Sequence, residues 1–192
     1  IGRVADLMNN PKIITVCIDH HVPTETFSNY LAIDANACSA GAMVYTLYKE
    51  CGFELDYYAA TGIYTSIICD TGRFSYSSTS RKAHKIADEC IKLGVDPDVM
   101  YSRLFQHVSL AHIRMFANAL QRMETYLDNK IVIQQICRED YGKIGGDLLD
   151  IEHADLEYIH EFNKSIEDVE CVVLLREISQ DLVRVSVRSS TD

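Results

Sequence analysis

The sequence predicts an α/β fold in two lobes that are joined by a long helix. An apolar, β-branched run at residues 13–18 is typical of a buried strand in a parallel sheet, because strands covered on both faces lose the apolar/polar alternation. Helical patterns follow this run, and the last of them extends from Pro97 to about Met123. Beyond it the pattern becomes strand, helix, strand and strand, so we place the lobes at residues 1–123 and 124–192.

The composition is that of a soluble, ordered protein. Of the 192 residues, 47% are hydrophobic and 24% are charged. The net charge of −10 argues against a broad nucleic-acid surface, although a locally positive pocket could still hold a small anion. The seven scattered cysteines predict buried, reduced thiols in a cytoplasmic protein. No stretch of the sequence is long and apolar enough to cross a membrane.

Turn and cap residues define the elements of the larger lobe. A short β-like segment and three helices are predicted at residues 27–33, 39–49, 57–68 and 79–93. Gly52 and Gly94 stand where glycines end helices, and Thr79 or Ser80 caps the third helix. Asp96-Pro97 opens the long helix, because proline is tolerated in a first turn. Small side chains predict a closely packed face on the second helix, at Ala59, Gly62, Ile63 and Ser66.

The smaller lobe ends in a strand with a chemically distinctive face. The predicted strands lie at residues 130–137, 169–178 and 182–189, with a loop at 141–150 and a helix at 154–162. Alternation places Arg184, Ser186 and Arg188 on one face of the last strand. That face is either simply solvated or grips phosphate oxygens through guanidinium groups. Glu177, at the end of the neighbouring strand, is placed to orient one of these arginines.

A carboxylate and two imidazoles follow the first predicted strand directly, in Asp19-His20-His21. Ligands in open α/β sheets bind just beyond the carboxyl ends of the strands. Carboxylate and imidazole together suit a divalent metal of the manganese, iron or zinc type. The triplet therefore predicts a metal site at this edge of the sheet.

A second carboxylate, Asp70, precedes a small hydroxyl residue and a glycine in Asp70-Thr71-Gly72-Arg73-Phe74. Such backbone can turn sharply and approach a ligand. Asp70 by itself could simply cap a turn, but beside the triplet it becomes a candidate ligand of the same site. Arg73 is the natural phosphate-facing cation there, with a surface arginine of no special role as the alternative. Solvated or packing roles are predicted for the other histidines, His84, His107, His112, His153 and His160.

Three motifs in this order resemble the DHH phosphoesterases: the strand ending in Asp19-His20-His21, residues 70–74, and the strand at 184–189. The resemblance is to the oligoribonuclease and phosphoadenosine-phosphate phosphatase branch, the nanoRNases, many of which are called exopolyphosphatase-related. It implies a DHH lobe carrying two divalent ions, usually Mn²⁺ with Mg²⁺ or Co²⁺ as substitutes. A smaller DHH-associated lobe grips the substrate.

The resemblance also implies roles for individual residues. His20 and Asp70 would be metal ligands, and Asp19 would support the metal site from its edge or from the next layer of residues. His21 would lie close to the scissile phosphate. Substrate would be bound by His21 and by Arg73, Arg184, Ser186, Arg188 and Ser189.

The activity implied is hydrolysis of short oligoribonucleotides or of 3′-phosphoadenosine 5′-phosphate. Two ions about 3.5–4 Å apart would activate water and clamp the phosphate. A cleft between lobes would admit the end of a short RNA or a small nucleotide, and no duplex or membrane. A homodimer is a candidate assembly. The alternatives are a pyrophosphate, polyphosphate or cyclic-dinucleotide hydrolase, and a nucleotide-binding module without catalysis.

Two parts of the family pattern do not occur in this sequence. A histidine followed by clustered aspartates, and a further bridging aspartate, are expected before residue 1. A glycine-rich motif containing histidine is expected after the strand at 184–189. We therefore expect the sequence to be an internal piece of a longer protein. Because ligand number and geometry set metal affinity, we expect the isolated chain to bind metal poorly and to be nearly inactive.

Overall fold

The computed structural model of the chain describes residues 12–22, 28–106, 108–143 and 157–189. The chain forms two compact units, residues 1–106 and 107–192. The division thus lies earlier than the predicted boundary at residues 123 and 124. The cause is the helix at Leu110–Gln121, because its buried residues Met115 and Ala119 belong to the core of the second unit.

The predicted long helix is wrong, because the structure has two helices in its place, Pro97–Phe105 and Leu110–Gln121. The hydroxyl of Ser109 accepts a hydrogen bond from the backbone N–H of His112 at 3.2 Å and so caps a new helix. Both helices continue the same apolar pattern, and that pattern alone did not reveal the break.

Within residues 12–22 and 28–106, the first unit shows a two-stranded sheet and four helices: β1 Val16–Asp19, β2 Tyr30–Ile33, α1 Ala40–Glu50, α2 Tyr57–Asp70, α3 Arg81–Lys92 and α4 Pro97–Phe105. The two strands are parallel, as predicted, with Val16 opposite Tyr30 and Asp19 opposite Ile33. The predicted burial of the first run is wrong, since Ile14 is 76% exposed and Val16 is 62% exposed. Within the described residues β1 has one neighbouring strand, and only α1 packs closely on it.

Of the two candidate caps for the third helix, Ser80 forms the cap, and Asp96 caps the helix that Pro97 opens. Ser39 and Asp56, which the sequence analysis did not name as caps, also each accept a backbone N–H from the first turn of the helix that follows. Gly52 and Gly94 have φ values of 70° and 98°, which L side chains rarely adopt, and each follows the end of a helix. The core of the unit lies between α2 and α3 and includes Ile63, Ile67, Ile86 and Cys90.

The described residues of the second unit form a four-stranded mixed sheet and three helices: α5 Leu110–Gln121, β3 Glu124–Tyr126, β4 Ile131–Ile136, α6 Arg138–Lys143, α7 Glu157–Lys164, β5 Cys171–Glu177 and β6 Val183–Ser189. The strand order is β3-β4-β5-β6, with β4 and β5 parallel and the outer pairs antiparallel. The mixed sheet is as predicted. Residues 141–143 end a helix rather than lie in a loop, and residues 144–156 are outside the described part.

Helices α5 and α7 contribute to the core on one face of this sheet. Met115 and Ile159 from these helices pack with Ile136 and Leu174 from β4 and β5.

The prediction of buried thiols holds for Cys38 and Cys90 only. Cys51 and Cys69 are exposed, the other three cysteines are partly buried, and all seven are free. In the described part of the chain every helix is too short or too polar to span a membrane.

A fully buried carboxylate, Asp140, joins three parts of the second unit. Arg122, just after α5, donates to both of its oxygens, at 2.5 and 2.9 Å. Asn118 and the backbone N–H of Cys137 donate to it at 3.1 Å each. Burial alone would raise the pKa of Asp140, but these hydrogen bonds outweigh it and hold the pKa below its ordinary value of 3.8.

We expect Asp140→Asn to lower the free energy of unfolding of the second unit by about 3 kcal/mol at pH 7, because it leaves the Arg122 charge without its buried partner. The measurement is urea unfolding of wild type and variant. Since the folded-state pKa of Asp140 is lowered, its stabilisation is complete above pH 3.8 and is lost as the pH falls below that value. The difference between the two proteins should therefore shrink in acid.

Asp88→Asn is the matched control, because Asp88 pairs with Lys92 on the exposed surface of α3. Exposed pairs of this kind contribute little to stability, so this variant should unfold at nearly the same urea concentration as the wild type. Equal losses in the two variants would show that the buried pair has no special weight.

Candidate active site

The Asp19-His20-His21 triplet forms a tight turn at the carboxyl end of β1. Asp19 Oδ1 accepts the backbone N–H of His20 at 2.7 Å and that of His21 at 3.2 Å. The same oxygen lies 2.7 Å from Nδ1 of His21, which donates to it in the tautomer protonated there. The side-chain bond from His21, followed by the backbone bonds, lowers the pKa of Asp19. One carboxylate oxygen therefore holds the turn and the His21 ring.

His20 and Asp70 come together from distant stretches of the sequence. Nε2 of His20 lies 3.6 Å from Oδ2 of Asp70. Bonds from a transition metal to imidazole nitrogen and carboxylate oxygen are about 2.0–2.2 Å long, so one cation could contact both atoms. The side chain of His20 is 18% exposed and that of Asp70 is 36% exposed, which leaves the pair open to solvent.

Asp70 is the last residue of α2, and the chain turns immediately after it. Thr71 is completely buried; its hydroxyl donates to the carbonyl of Ile67 at 2.7 Å and accepts the N–H of Phe74 at 3.1 Å. The N–H of Arg73 donates to the carbonyl of Ile68 at 2.8 Å. These bonds fix the end of the helix, and with it the position of Asp70.

This turn holds three consecutive residues in the left-handed region. Gly72, Arg73 and Phe74 have φ values of 52°, 61° and 66°. An L side chain in this region costs roughly 1–2 kcal/mol, so the two non-glycine residues must be held by their surroundings. The ring of Phe74 stacks on His84, with centroids 4.9 Å apart. Strain of this kind is common at functional sites, and here it lies directly beside Asp70.

The donor set at this end of β1 fits a divalent metal ion. One ligand atom from each of Asp19, His20 and His21 lies within 4.8 Å of the others. Asp70 adds a carboxylate beside His20. Because Oδ1 of Asp19 already accepts three hydrogen bonds, one of them from His21, the better-placed ligands are His20 and Asp70. Imidazole with carboxylate suits manganese, iron or zinc.

Arg73, the predicted phosphate-facing cation, is held against an aromatic ring. Its guanidinium carbon lies 5.1 Å from the centroid of Phe105, the last residue of α4. Such cation–π contacts are worth about 0.5–1 kcal/mol at exposed sites. The contact anchors Arg73 near the strained turn, and its role towards a phosphate stays a prediction.

The remaining predicted substrate residues lie on β6 in the second unit. Arg184, Ser186 and Arg188 pair with Arg176, Leu174 and Val172 of β5, so they share one face, as predicted. Ser189 pairs with Cys171 and lies on the opposite face, where its hydroxyl donates to the carbonyl of Glu170 at 3.4 Å.

The predicted role of Glu177 is wrong. Glu177 pairs with Val183, so its side chain belongs to the opposite face from Arg184 and Arg188. Its Oε2 accepts the backbone N–H of Arg138 at 2.9 Å, at the start of α6. The sequence placed Glu177 on a strand but did not give its register against β6.

The structure adds residues that the sequence did not single out as part of the site. Ser66 Oγ lies 3.4 Å from Oδ2 of Asp70 and accepts the N–H of Gly41 at 3.0 Å. The four-residue spacing between Ser66 and Asp70 puts both on one side of α2, and that spacing was the available signal. The closely packed face predicted for α2 exists at Ser66, while nothing lies within 4 Å of a Cβ placed on Gly62.

A cavity of about 330 Å³ also opens beside β1 in the first unit. Its lining begins at Ile18, next to the triplet, and includes Cys38, whose pKa burial raises, with a smaller contribution from the charge of Asp70. The rest of the lining combines apolar residues of α1 with the polar side chains of Asn36, Ser80 and Lys82.

Comparisons with known proteins agree with the resemblance drawn from the motifs. No protein-family model matches the sequence. The chain is 36% identical over 92 residues to the bifunctional oligoribonuclease and PAP phosphatase NrnA of Bacillus subtilis. The matched region covers 46% of this chain and 29% of that protein. It is 26% identical over 125 residues to NrnA of Thermus thermophilus, covering 65% of this chain and 38% of that protein.

A solved structure matches over nearly the whole chain. The crystal structure of an exopolyphosphatase-related protein from Bacteroides fragilis superposes with a TM-score of 0.84 at 26% identity, covering 95% of this chain and 52% of that one. The resemblance to NrnA-type DHH phosphoesterases and the predicted α/β fold are thereby confirmed. The chain spans about a third of the length of these curated relatives and about half of the solved structure.

We expect Gly72→Ala to lower the free energy of unfolding by about 2 kcal/mol. An alanine at this position would have to adopt a left-handed φ, and its Cβ would overlap the ring of Tyr76. The measurement is thermal unfolding of the 192-residue chain. Gly62→Ala is the control, since Gly62 lies inside α2 with open space around it. That change should raise stability by about 0.5–1 kcal/mol. A Gly72→Ala protein as stable as the wild type would contradict the strain assigned to this turn.

Proposed function

We propose that this chain carries part of the active site of a phosphoesterase that depends on a divalent cation, Mn²⁺ first, and acts on short oligoribonucleotides or 3′-phosphoadenosine 5′-phosphate. The observation that carries the proposal is the 3.6 Å approach of His20 Nε2 to Asp70 Oδ2 beside the Asp19-His20-His21 turn. The substrates are those for which the B. subtilis and T. thermophilus relatives are named.

His20 and Asp70 would hold the cation, which polarises the phosphate and lowers the pKa of a bound water. Asp19 would act through His21 by holding the imidazole with its Nε2 directed away from the carboxylate. His21 is 75% exposed, so Nε2 is open to solvent, where the doubly protonated imidazolium would donate to a phosphate oxygen. The fold thus supplies an oriented imidazole next to the proposed metal ligands.

Arg184, Ser186 and Arg188 would bind a second phosphate or the base of the substrate. Their common face offers two guanidinium groups and a hydroxyl along one strand. Two guanidiniums on one strand suit a substrate with two separated anionic groups better than bare pyrophosphate. We therefore place nucleotide substrates first, with pyrophosphate and polyphosphate as the alternative that the exopolyphosphatase-related structure suggests.

The test is a Mn²⁺-dependent hydrolysis assay of the full-length protein that carries this sequence, with an RNA dinucleotide, 3′-phosphoadenosine 5′-phosphate and pyrophosphate as substrates. We expect His20→Ala and Asp70→Asn each to lower kcat at least 100-fold, because each removes a metal ligand. Removal of the cation with EDTA should abolish the activity, and Mn²⁺ should restore it.

His112→Ala and Asp88→Asn are the matched controls, since they change the same residue types at positions on α5 and α3 outside the site. Both should retain activity within about twofold of the wild type. Wild-type rates in the His20→Ala protein would remove the proposed site. A preference for pyrophosphate over both nucleotides would leave the site in place and change the substrate class.

A further inference from the structure

Ser66 connects the beginning of α1 to the carboxylate of Asp70. Its oxygen accepts the backbone N–H of Gly41 at 3.0 Å, and its hydroxyl is directed at Oδ2 of Asp70, 3.4 Å away. Oδ2 is also the oxygen that faces Nε2 of His20. A single carboxylate oxygen therefore meets the hydroxyl on one side and the imidazole on the other.

The close approach of the two helices requires glycine at position 41. A Cβ on Gly41 would lie 2.5 Å from the Cβ of Ser66 and 3.2 Å from the carbonyl oxygen of Ile63. Gly41 lies in the first turn of α1, where backbone N–H groups have no partner inside the helix. Ser66 supplies that partner, and a hydroxyl that accepts a hydrogen bond becomes a better donor to the next acceptor.

Among the residues that the structure describes, the other hydrogen bonds near Asp70 do not reach its carboxylate. Ser78 donates to the backbone carbonyl of Asp70 at 3.3 Å, and Thr71 donates to the carbonyl of Ile67. Ser66 is thus the hydroxyl that acts on the carboxylate itself. A carboxylate at a helix end can rotate about its side-chain bonds, and a donor on one oxygen restricts that rotation.

We propose that Ser66 is a positioning residue for Asp70, holding Oδ2 towards His20 so that the two side chains meet one divalent cation. This role rests on the proposed function, because it assumes that Asp70 is a metal ligand. Mutation of a group that orients a metal ligand typically lowers metal affinity about 10–100-fold. Since the hydrogen bond from Ser66 is long, we expect the lower end of that range.

The test measures Mn²⁺ binding to the 192-residue chain by electron paramagnetic resonance of the free ion, with Mn²⁺ raised to millimolar concentrations so that a weak site is detected. Ser66→Ala should weaken binding roughly tenfold. Thr65→Ala is the matched control, because Thr65 is the preceding residue of α2 and its hydroxyl donates to the carbonyl of Thr61 at 2.8 Å. That variant should bind Mn²⁺ as the wild type does.

Thermal unfolding of the same proteins separates positioning from packing. We expect Ser66→Ala and Thr65→Ala to change the melting temperature by similar small amounts, while only the first changes Mn²⁺ affinity. Equal Mn²⁺ affinity in wild type and Ser66→Ala would overturn the role of Ser66 and leave the proposed function standing. So would equal losses of affinity in the two variants. A wild-type chain that binds no more Mn²⁺ than its His20→Ala variant would overturn this role, because Ser66 would then have no shared cation to serve, while the hydrolysis assay of the full-length protein decides the proposed function separately.

Discussion

The site depends on where α2 ends relative to β1. The buried residues Ala60, Ile63 and Ile67 of α2 fix this helix in the core of the first unit, and the buried Thr71 fixes its last turn. The position of Asp70 beside the Asp19-His20-His21 triplet is therefore fixed along the axis of α2. One helical turn is about 5.4 Å, so a shift of a single turn would carry the carboxylate beyond reach of a shared cation. The apolar packing of α2 therefore sets the geometry of a polar site.

The three residues of the triplet differ in what the fold leaves free. One oxygen of Asp19 accepts hydrogen bonds from two backbone N–H groups and from the His21 ring, so Asp19 mainly fixes the shape of the turn. The His20 side chain is largely covered and faces Asp70, whereas the His21 side chain is 75% exposed. The two imidazole centroids are 4.3 Å apart, so a largely covered imidazole and an exposed one lie side by side. This arrangement fits the proposal that His20 binds the cation and that the exposed His21 contacts the substrate.

Local chemistry was predictable from the sequence, and relations between elements were less so. Ser80 and Gly94 marked the ends of α3 because caps and left-handed glycines act within one turn. The break at Ser109 was missed because the apolar spacing continues through it. The exposure of β1 was missed because an apolar run does not reveal how many layers cover it. Ser66 was noted only as a small packing residue, since its contact with Gly41 depends on how two helices meet.

The two faces of β6 differ in polarity, whereas the neighbouring strand β5 carries apolar residues on both faces. In β4 and β5 the buried residues Val132, Val172 and Leu174 lie on one face, and the register puts Arg184, Ser186 and Arg188 on that same face. The valines of β6 are 49–58% exposed and lie on the other face. A slip of one residue would reverse this and turn the valines towards the buried face. The observed register instead pairs Val185 with Leu175 and Val187 with Val173, so apolar cross-strand contacts on the other face favour it. It leaves Arg184 and Arg188 exposed, and the proposed contact with an anionic substrate uses that exposure.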